Sequence, residues 1–276
     1  MLEYGLDCVN ILSIMVSGMS NRQMIDTSVP VVRLSGVSKH FGSTPVLDDV
    51  SFELPAGTSA GLIGLNGAGK TTILKCLLDF CDFSKGSIEL FGMDHRLPSS
   101  RSNLAYLPER FVPPFYLTGR EFLRAMLRMS GDEYSELKAS EMLASLQLSE
   151  RALDLPARTY SKGMTQKLGL AVSFLRRKSL LVLDEPMSGL DVVARACVKR
   201  ALAKLRSQGD TTILFTSHAL ADMEEICDHM ILLHDARIAY AGSPVEFRRD
   251  SGEPTLEQAF LRTIESASRN EDAKHV

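Results

Sequence analysis

The chain has 276 residues, a formal net charge of −3 and a sequence pI near 6.1. That length fits one large α/β domain or a domain carrying an inserted subdomain, and the charge balance gives no reason to expect nucleic acid as a partner. Hydrophobic residues make up 45% of the chain at a mean hydropathy of +0.01. This is ordinary globular composition, and no stretch approaches the roughly 18 apolar residues of a spanning helix. If the protein works at a membrane, another chain does the spanning.

The stretch from Met1 to about Pro30 is unlike the rest of the chain. Val9 to Val16 is mostly apolar but short, and Glu3 and Asp7 upstream are not the basic flank of a secretory signal. Two readings stay open: a loose or partner-bound tail, or a true start at Met19 or Met24. From Val31 the pattern becomes regular. Val31–Leu34 and Leu47–Leu54 are strand-like, split by a turn at Gly42–Pro45. Phe41 sits in that turn, where an aromatic ring can stack on an adenine. Pro55-Ala56-Gly57 turns the chain into a buried strand, Ala60–Ile63.

Next comes Gly64-Leu65-Asn66-Gly67-Ala68-Gly69-Lys70-Thr71-Thr72, a G-x-x-x-x-G-K-[ST] phosphate-binding loop. Ile73, Leu74, Leu77 and Leu78 follow at helical spacing, so the loop lies between strand and helix, as the motif requires. Glycines let successive backbone N–H groups turn toward one centre. The helix N-terminus adds partial positive charge. Lys70 can reach the β- and γ-phosphates of a nucleotide, and the Thr71 hydroxyl can sit on Mg²⁺.

Ser87–Phe91 and Leu104–Pro108 read as further strands, the latter followed by Glu109. Thr118-Gly119-Arg120-Glu121 is a capping box opening a helix through about Met129, and a second helix spans about Glu133 to Leu146. Residues 110–165 thus read as an all-helical insert. A buried strand at Leu180–Leu183 ends in Asp184-Glu185-Pro186. A helix capped by Asp191 runs to about Ser207, with Gly209 as its stop. Thr211–Ser217 is a strand ending at His218; Met230–Leu233 and Ile238–Ala241 suggest a terminal hairpin. Leu256, Ala259, Phe260 and Ile264 form one stripe of a short helix, and the polar chain past Ser266 is expected to be disordered. Cys8, Cys76, Cys81, Cys197 and Cys227 are odd in number and scattered, which predicts inert or buried free thiols in a reducing compartment. The histidines lack metal-ligand spacing; His229 and His234, flanking an apolar strand, are expected at the surface or an edge.

In order and approximate spacing, the phosphate loop, Tyr160-Ser161-Lys162-Gly163-Met164, the apolar run before Asp184-Glu185, and His218 resemble the ATPase subunits of ABC transporters, from about Val31 to Ile264. The resemblance implies an α/β fold: a P-loop NTPase core of mixed or parallel sheet flanked by helices, an N-terminal antiparallel part, and the inserted helical subdomain. It implies an extension over 1–30, an ATPase domain over 31–265 and a tail over 266–276. ATP and Mg²⁺ are the implied ligands. Asp184 matches the carboxylate that orients Mg²⁺ through water, Glu185 the general base, and His218 the switch histidine at the γ-phosphate. Ser188–Asp191 matches the loop linking two subunits' sites. Ser161 and Gly163 match the signature segment that grips the γ-phosphate of ATP held by a second subunit, whereas Tyr160, Lys162 and Met164 depart from it.

Glu109 stands where the family usually has a glutamine that contacts Mg²⁺ and relays nucleotide state to the membrane subunit. A carboxylate can still ligate Mg²⁺, but it adds negative charge beside phosphates. Leu107-Pro108-Glu109, with Tyr116–Glu121, Tyr160–Met164 and the closing Thr255–Phe260 segment, resembles one exporter-type subgroup whose members pair with a separate membrane subunit, while Glu109 alone reads equally as a tolerated variant; both readings stand. The implied partners are a second ATPase subunit and an integral-membrane permease, which would place the protein at the cytoplasmic face of the membrane. The subgroup's members export drugs, lipids, ions or polymers, or serve copper-enzyme maturation. The alternatives are a soluble regulator or repair and translation factor on the same core, and a module that binds nucleotide without turnover. The first usually carries two cores, a long coiled coil or zinc-binding cysteines, none evident here. Intact Glu185 and His218 argue against the second.

Overall fold

A computed structural model of the protein describes residues 28–272. The readings of Val9–Val16 and of a start at Met19 or Met24 lie outside the described residues. In chain order the elements are β1 (Val32–Phe41), β2 (Thr44–Leu54), β3 (Ser59–Ile63), α1 (Lys70–Leu77), β4 (Lys85–Leu90), β5 (Met93–Asp94), β6 (Leu104–Leu107), α2 (Gly119–Met129), α3 (Glu136–Ser145), α4 (Glu150–Leu153), α5 (Lys162–Leu175), β7 (Leu180–Leu183), α6 (Val192–Ser207), β8 (Thr212–Thr216), α7 (Leu220–Ile226), β9 (His229–His234), β10 (Arg237–Gly242), α8 (Pro244–Ser251) and α9 (Leu256–Asp272). Short 3₁₀ turns occupy Pro98–Arg101 and Ala157–Thr159.

Two sheets organise the molecule. One is antiparallel, in the order β2-β1-β4-β5; the other has six strands in the order β10-β9-β3-β8-β7-β6. In the second, β9, β3, β8, β7 and β6 run parallel, and β10 returns antiparallel along β9. The parallel strands are apolar on both faces because both faces are covered. Alternation then sends successive residues to different cores. Leu180 and Val182 of β7 join α1, β1 and β2 in one cluster, while Leu181 and Leu183 join α2, α5 and α6 in the other. Helix α1 is thereby held between the two sheets, with Ile73, Leu74, Cys76 and Leu77 buried. Arg237 and Asp48 form an ion pair between β10 and β2, and Asp48 N donates to Ala236 O at 2.8 Å.

The capping box opening α2 is present: Thr118 N donates to Glu121 Oε2 at 2.8 Å, and Glu121 N donates to Thr118 Oγ1 at 3.2 Å. Helices α2, α3 and α4 fall between β6 and β7; α2 and α3 each pack on α4 and on α5. Four expectations need correction. Residues 110–118 carry no helix, so the helical stretch starts with the cap at Thr118. The second helix starts at Glu136, not near Glu133, because Ser135 caps it, its side chain accepting from Lys138 N. At the C-terminal end the backbone stays helical to Asp272, beyond Ser266 where disorder was expected. Leu256, Ala259 and Phe260 pack into the core and nucleate that helix, and propagation from an existing nucleus adds one hydrogen bond per residue. His234 is buried and not at an edge, because β9 lies between β3 and β10.

Candidate functional site

Four parallel strands deliver their carboxyl ends to one place. β3 runs into the glycine loop and α1, β6 stops shortly before Glu109, β7 ends directly before Asp184, and β8 ends shortly before His218. The crevice at such ends is where open α/β sheets bind ligands. Here it is a cavity of about 380 Å³, lined by Asn66, Gly67, Gly69, Lys70, Thr71, Thr72, Glu109, Asp184, Glu185 and His218.

The loop's shape demands glycine at two positions in particular. Gly69 caps α1 with φ at 108°, and a Cβ there would lie 2.7 Å from Val46 O. A Cβ on Gly64 would lie 2.3 Å from Leu233 O. Gly69 also offers no side-chain cap. The first-turn N–H groups of α1, which lack intrahelical acceptors, are therefore open to an anion. Lys70 is buried, and its Nζ donates to Gly64 O at 2.8 Å and Leu65 O at 3.1 Å, which holds the ammonium inside the loop. Burial lowers its pKa against the opposing pull of Glu185, Asp184 and Glu109.

Asp184 is buried at 2% exposure, and burial raises its pKa. Its Oδ1 accepts from Thr216 Oγ1 at 2.7 Å and its Oδ2 from Thr71 Oγ1 at 3.3 Å. Glu185 follows in the left-handed region, with φ at 49°, a conformation that costs a non-glycine residue about 1–3 kcal/mol. Its N–H is tied to Thr216 Oγ1 at 2.8 Å. Thr216 thus holds both acidic residues with one hydroxyl. In the sequence it passes for an ordinary β-branched strand residue. The available signal is a hydroxyl in an otherwise buried strand, one element away from its partners.

Burial pushes the Glu185 carboxyl up to about 7; Asp184, Glu109 and Asp222 reinforce the shift and Lys70 opposes it. His218 Nε2 lies 3.1 Å from Glu185 Oε1. The pair is at ion-pair distance but out of hydrogen-bond alignment, so among the described residues Oε1 is a buried acceptor without a hydrogen-bond donor. Burial, and then Lys70, lower the His218 pKa. The histidine loop is braced from α6, a second feature the sequence does not disclose. Asp222, 1% exposed, accepts from Ser217 Oγ at 2.9 Å and pairs with Lys199 at 2.9 Å and Arg195 at 3.2 Å.

Residues 47–188 match the family model described as ABC transporter. The chain is 34% identical over 235 residues to the ABC-type transporter ATP-binding protein EcsA of Bacillus subtilis, covering 84% of this chain and 93% of that one. It is 32% identical over 214 residues to the bacitracin transport ATP-binding protein BcrA of Enterococcus faecalis, covering 75% and 68%. A solved ATP-binding subunit of an ABC transporter superposes with a TM-score of 0.76 at 30% identity, covering 84% of this chain and 99% of that one.

The chain belongs to the ABC transporter family. It is an ATP-binding subunit with the P-loop NTPase fold and an ATPase serving transport. As an ABC ATPase it keeps several of the sequence-derived site residues away from the cavity. Gly64 and Leu65 border an adjoining hollow of about 220 Å³ with Leu220 and Phe260, and Ala68 packs inward against the core. Phe41 is 58% exposed at the end of β1, outside the cavity walls, with Lys39 Nζ 5.0 Å from its ring centroid. Ser161 caps α5, accepting from Met164 N at 3.2 Å, and Asp191 caps α6, accepting from Ala194 N at 2.8 Å. Ser161, Gly163 and Asp191 do not line the cavity of their own chain. Lys162 Nζ to Ser188 Oγ at 3.4 Å and Gln166 Nε2 to Pro186 O at 3.1 Å fasten the start of α5 to the loop after Glu185.

The Thr216 bridge can be tested alone. Thr216→Val keeps the shape and removes both bonds, which is expected to cost about 1–3 kcal/mol. If that cost falls on the transition state, kcat drops by about fivefold to a hundredfold, read as phosphate release. An unchanged kcat would show that the two carboxylates are positioned without it.

Proposed function

We propose that the ATPase site is the cavity at the strand ends, and that it works between two head-to-tail copies of the chain. The observation that carries this reading is the convergence of Lys70, Thr71, Glu109, Asp184, Glu185 and His218 on one cavity while Ser161 and Gly163 lie outside it. The amides at the start of α1, with Asn66, Gly67, Gly69 and Thr72, cradle the phosphates, and Lys70 swings from its loop carbonyls onto them. The donor set of the Thr71 hydroxyl and the Asp184 and Glu109 carboxylates is all oxygen, which suits a hard cation. These three residues would hold Mg²⁺, which when bound offsets charge on the phosphate oxygens. Glu185 takes a proton from the attacking water at its unpartnered Oε1, and His218 holds that carboxylate and the water in register. Phosphoryl transfer asks little covalent work of a protein, so placement and charge supply most of the rate.

The second copy lends the signature residues Ser161 and Gly163 to this chain's nucleotide. Phe41, exposed at the end of β1, stacks on the adenine, and Asp191 fixes the loop between the two sites. The helical segment from Thr118 to about residue 165 then moves against the core of the 31–265 ATPase domain as ATP binds and is lost. A separate permease receives that motion, at the cytoplasmic face of the membrane. Val112, Phe115 and Tyr116, exposed at 78%, 67% and 65% directly after Glu109, support a partner surface there. Among the described residues no helix is long and apolar enough to cross a membrane. The subgroup resemblance supports export. Co-purification of an untagged multi-spanning protein encoded beside this chain, lost on replacing Phe115 and Tyr116 by serine, tests the permease; recovery of the ATPase alone from native membranes would count against it.

The base role predicts a pH dependence. Glu185 must be ionised to act, and its pKa is raised to about 7, so activity is absent well below that pH and rises through it. Because kcat/KM reports the free enzyme, its profile is expected to climb between about pH 6 and 8. Glu109→Gln removes a like charge that raises the Glu185 pKa and is expected to move the limb to lower pH. A flat profile in the parent protein would remove Glu185 from the role.

A further inference from the structure

We propose that Cys76 and Cys81 form a modification site, a dithiol that glutathione disulfide or a similar small disulfide oxidises reversibly to an internal disulfide. The two lie at the far end of the helix that begins with Lys70 and Thr71. After the last turn of α1 the chain folds back on itself. Asp79 takes the left-handed conformation at φ 61°, and Phe80 N and Cys81 N both donate to Lys75 O, at 2.8 and 3.4 Å. This return sets Cys81 Sγ 3.4 Å from Cys76 Sγ. The sulfurs need to close by only about 1.4 Å to reach disulfide length.

The two thiols are unequal. Cys76 is fully buried in the core around α1, whereas Cys81 is half-buried and open to solvent. The hydrogen bond from Cys76 draws the Cys81 thiol down to about 7, and the Lys39 and Lys75 ammonium groups add to this against the opposing effect of burial. A partly exposed, thiolate-prone sulfur beside cations is the environment of a reactive cysteine. Cys76 is pushed up first by donating to Cys81 and then by burial, so it is a resolving thiol released when Cys81 is capped. The other described cysteines lack this arrangement. Cys197 is 2% exposed with Arg200 Nη2 3.0 Å from its sulfur, and burial pushes the Cys227 thiol up.

The chemistry balances as two exchanges. Cys81 thiolate attacks one sulfur of glutathione disulfide, that S–S bond breaks, and one glutathione thiolate leaves. Cys76 sulfur then attacks Cys81 sulfur, breaking the mixed disulfide and expelling the second glutathione. The protein loses two electrons and two protons; one glutathione disulfide becomes two thiols. A dithiol reductant reverses it. In a reducing compartment such a bond is transient and tracks the redox state.

The test uses the full chain. Trypsin cleaves after Lys75 and Lys85 and releases both cysteines in one peptide, Cys76–Lys85. After incubation with glutathione disulfide and blocking with iodoacetamide, that peptide is expected to be lighter than the reduced one by two hydrogens, unalkylated, and restored by dithiothreitol. Cys197 and Cys227 remain reduced. In Cys76→Ser the glutathione is expected to stay on Cys81, and in Cys81→Ser the peptide is expected to carry none. A parent peptide that stays reduced, or that keeps a stable glutathione adduct, overturns the proposal.

Discussion

Replacing Glu185 with glutamine is expected to leave ATP binding intact and to slow hydrolysis by about a hundredfold or more, the scale of general acid–base effects. The amide keeps the length of the side chain and its backbone tie to Thr216 Oγ1, so the architecture at the end of β7 survives. What disappears is the ionisable carboxylate. In the parent protein, Oε1 is buried without a hydrogen-bond donor among the described residues, and burial raises the carboxyl to about 7. A base poised near the working pH balances the ionised fraction against basicity. Glutamine has neither the charge nor the basicity, and burial lowers the pKa of the neighbouring His218, which weakens it as a base. Phosphate release and equilibrium nucleotide binding, measured on one preparation, separate the two effects. Hydrolysis at the parent rate would remove Glu185 from the base role.

The second large effect is expected from Lys70→Ala. Lys70 is the cation at the centre of the loop and already spans Gly64 O and Leu65 O. A charge-assisted hydrogen bond is worth about 1.5–3 kcal/mol, so nucleotide affinity is expected to fall by about tenfold to a hundredfold. Lys70 also opposes the rise in the Glu185 pKa. Residual hydrolysis in the variant should therefore need a higher pH than in the parent protein. Titration with a fluorescent ATP analogue measures the first effect, and unchanged affinity would count against the phosphate cradle.

Much of this site is legible in the sequence, for a physical reason. Buried parallel strands are continuous apolar runs, and their chemistry sits where the run stops. Leu180–Leu183 stops at Asp184-Glu185, and Ala60–Ile63 stops at the glycine loop. Contacts across strands cannot be read in the same way. Thr216 meets Asp184 only because β7 and β8 pair in register, Leu183 opposite Phe215. The bracing of His218 through Ser217 and Asp222 depends on how α6 packs beside α7, which no local pattern encodes. Cys76 and Cys81 look scattered in the sequence because their contact depends on a left-handed turn at Asp79, where glycine is the usual residue. The helix from Leu256 to Asp272 runs past its apolar stripe, since a packed first turn carries a polar continuation that local composition would not support alone.

Ser161 and Gly163 do not line their own chain's cavity, and in the proposed reading a second copy supplies them, which makes dimerisation the step on which hydrolysis would depend. Sedimentation velocity of Glu185→Gln protein with and without Mg-ATP measures it directly, because the variant is expected to bind nucleotide and to lose it only slowly by hydrolysis. The account predicts a monomer without nucleotide and a dimer with it, the dimer dissolving when Ser161 is replaced by a bulky residue such as phenylalanine. A chain that stays monomeric at saturating Mg-ATP, alone and together with its permease, would contradict it.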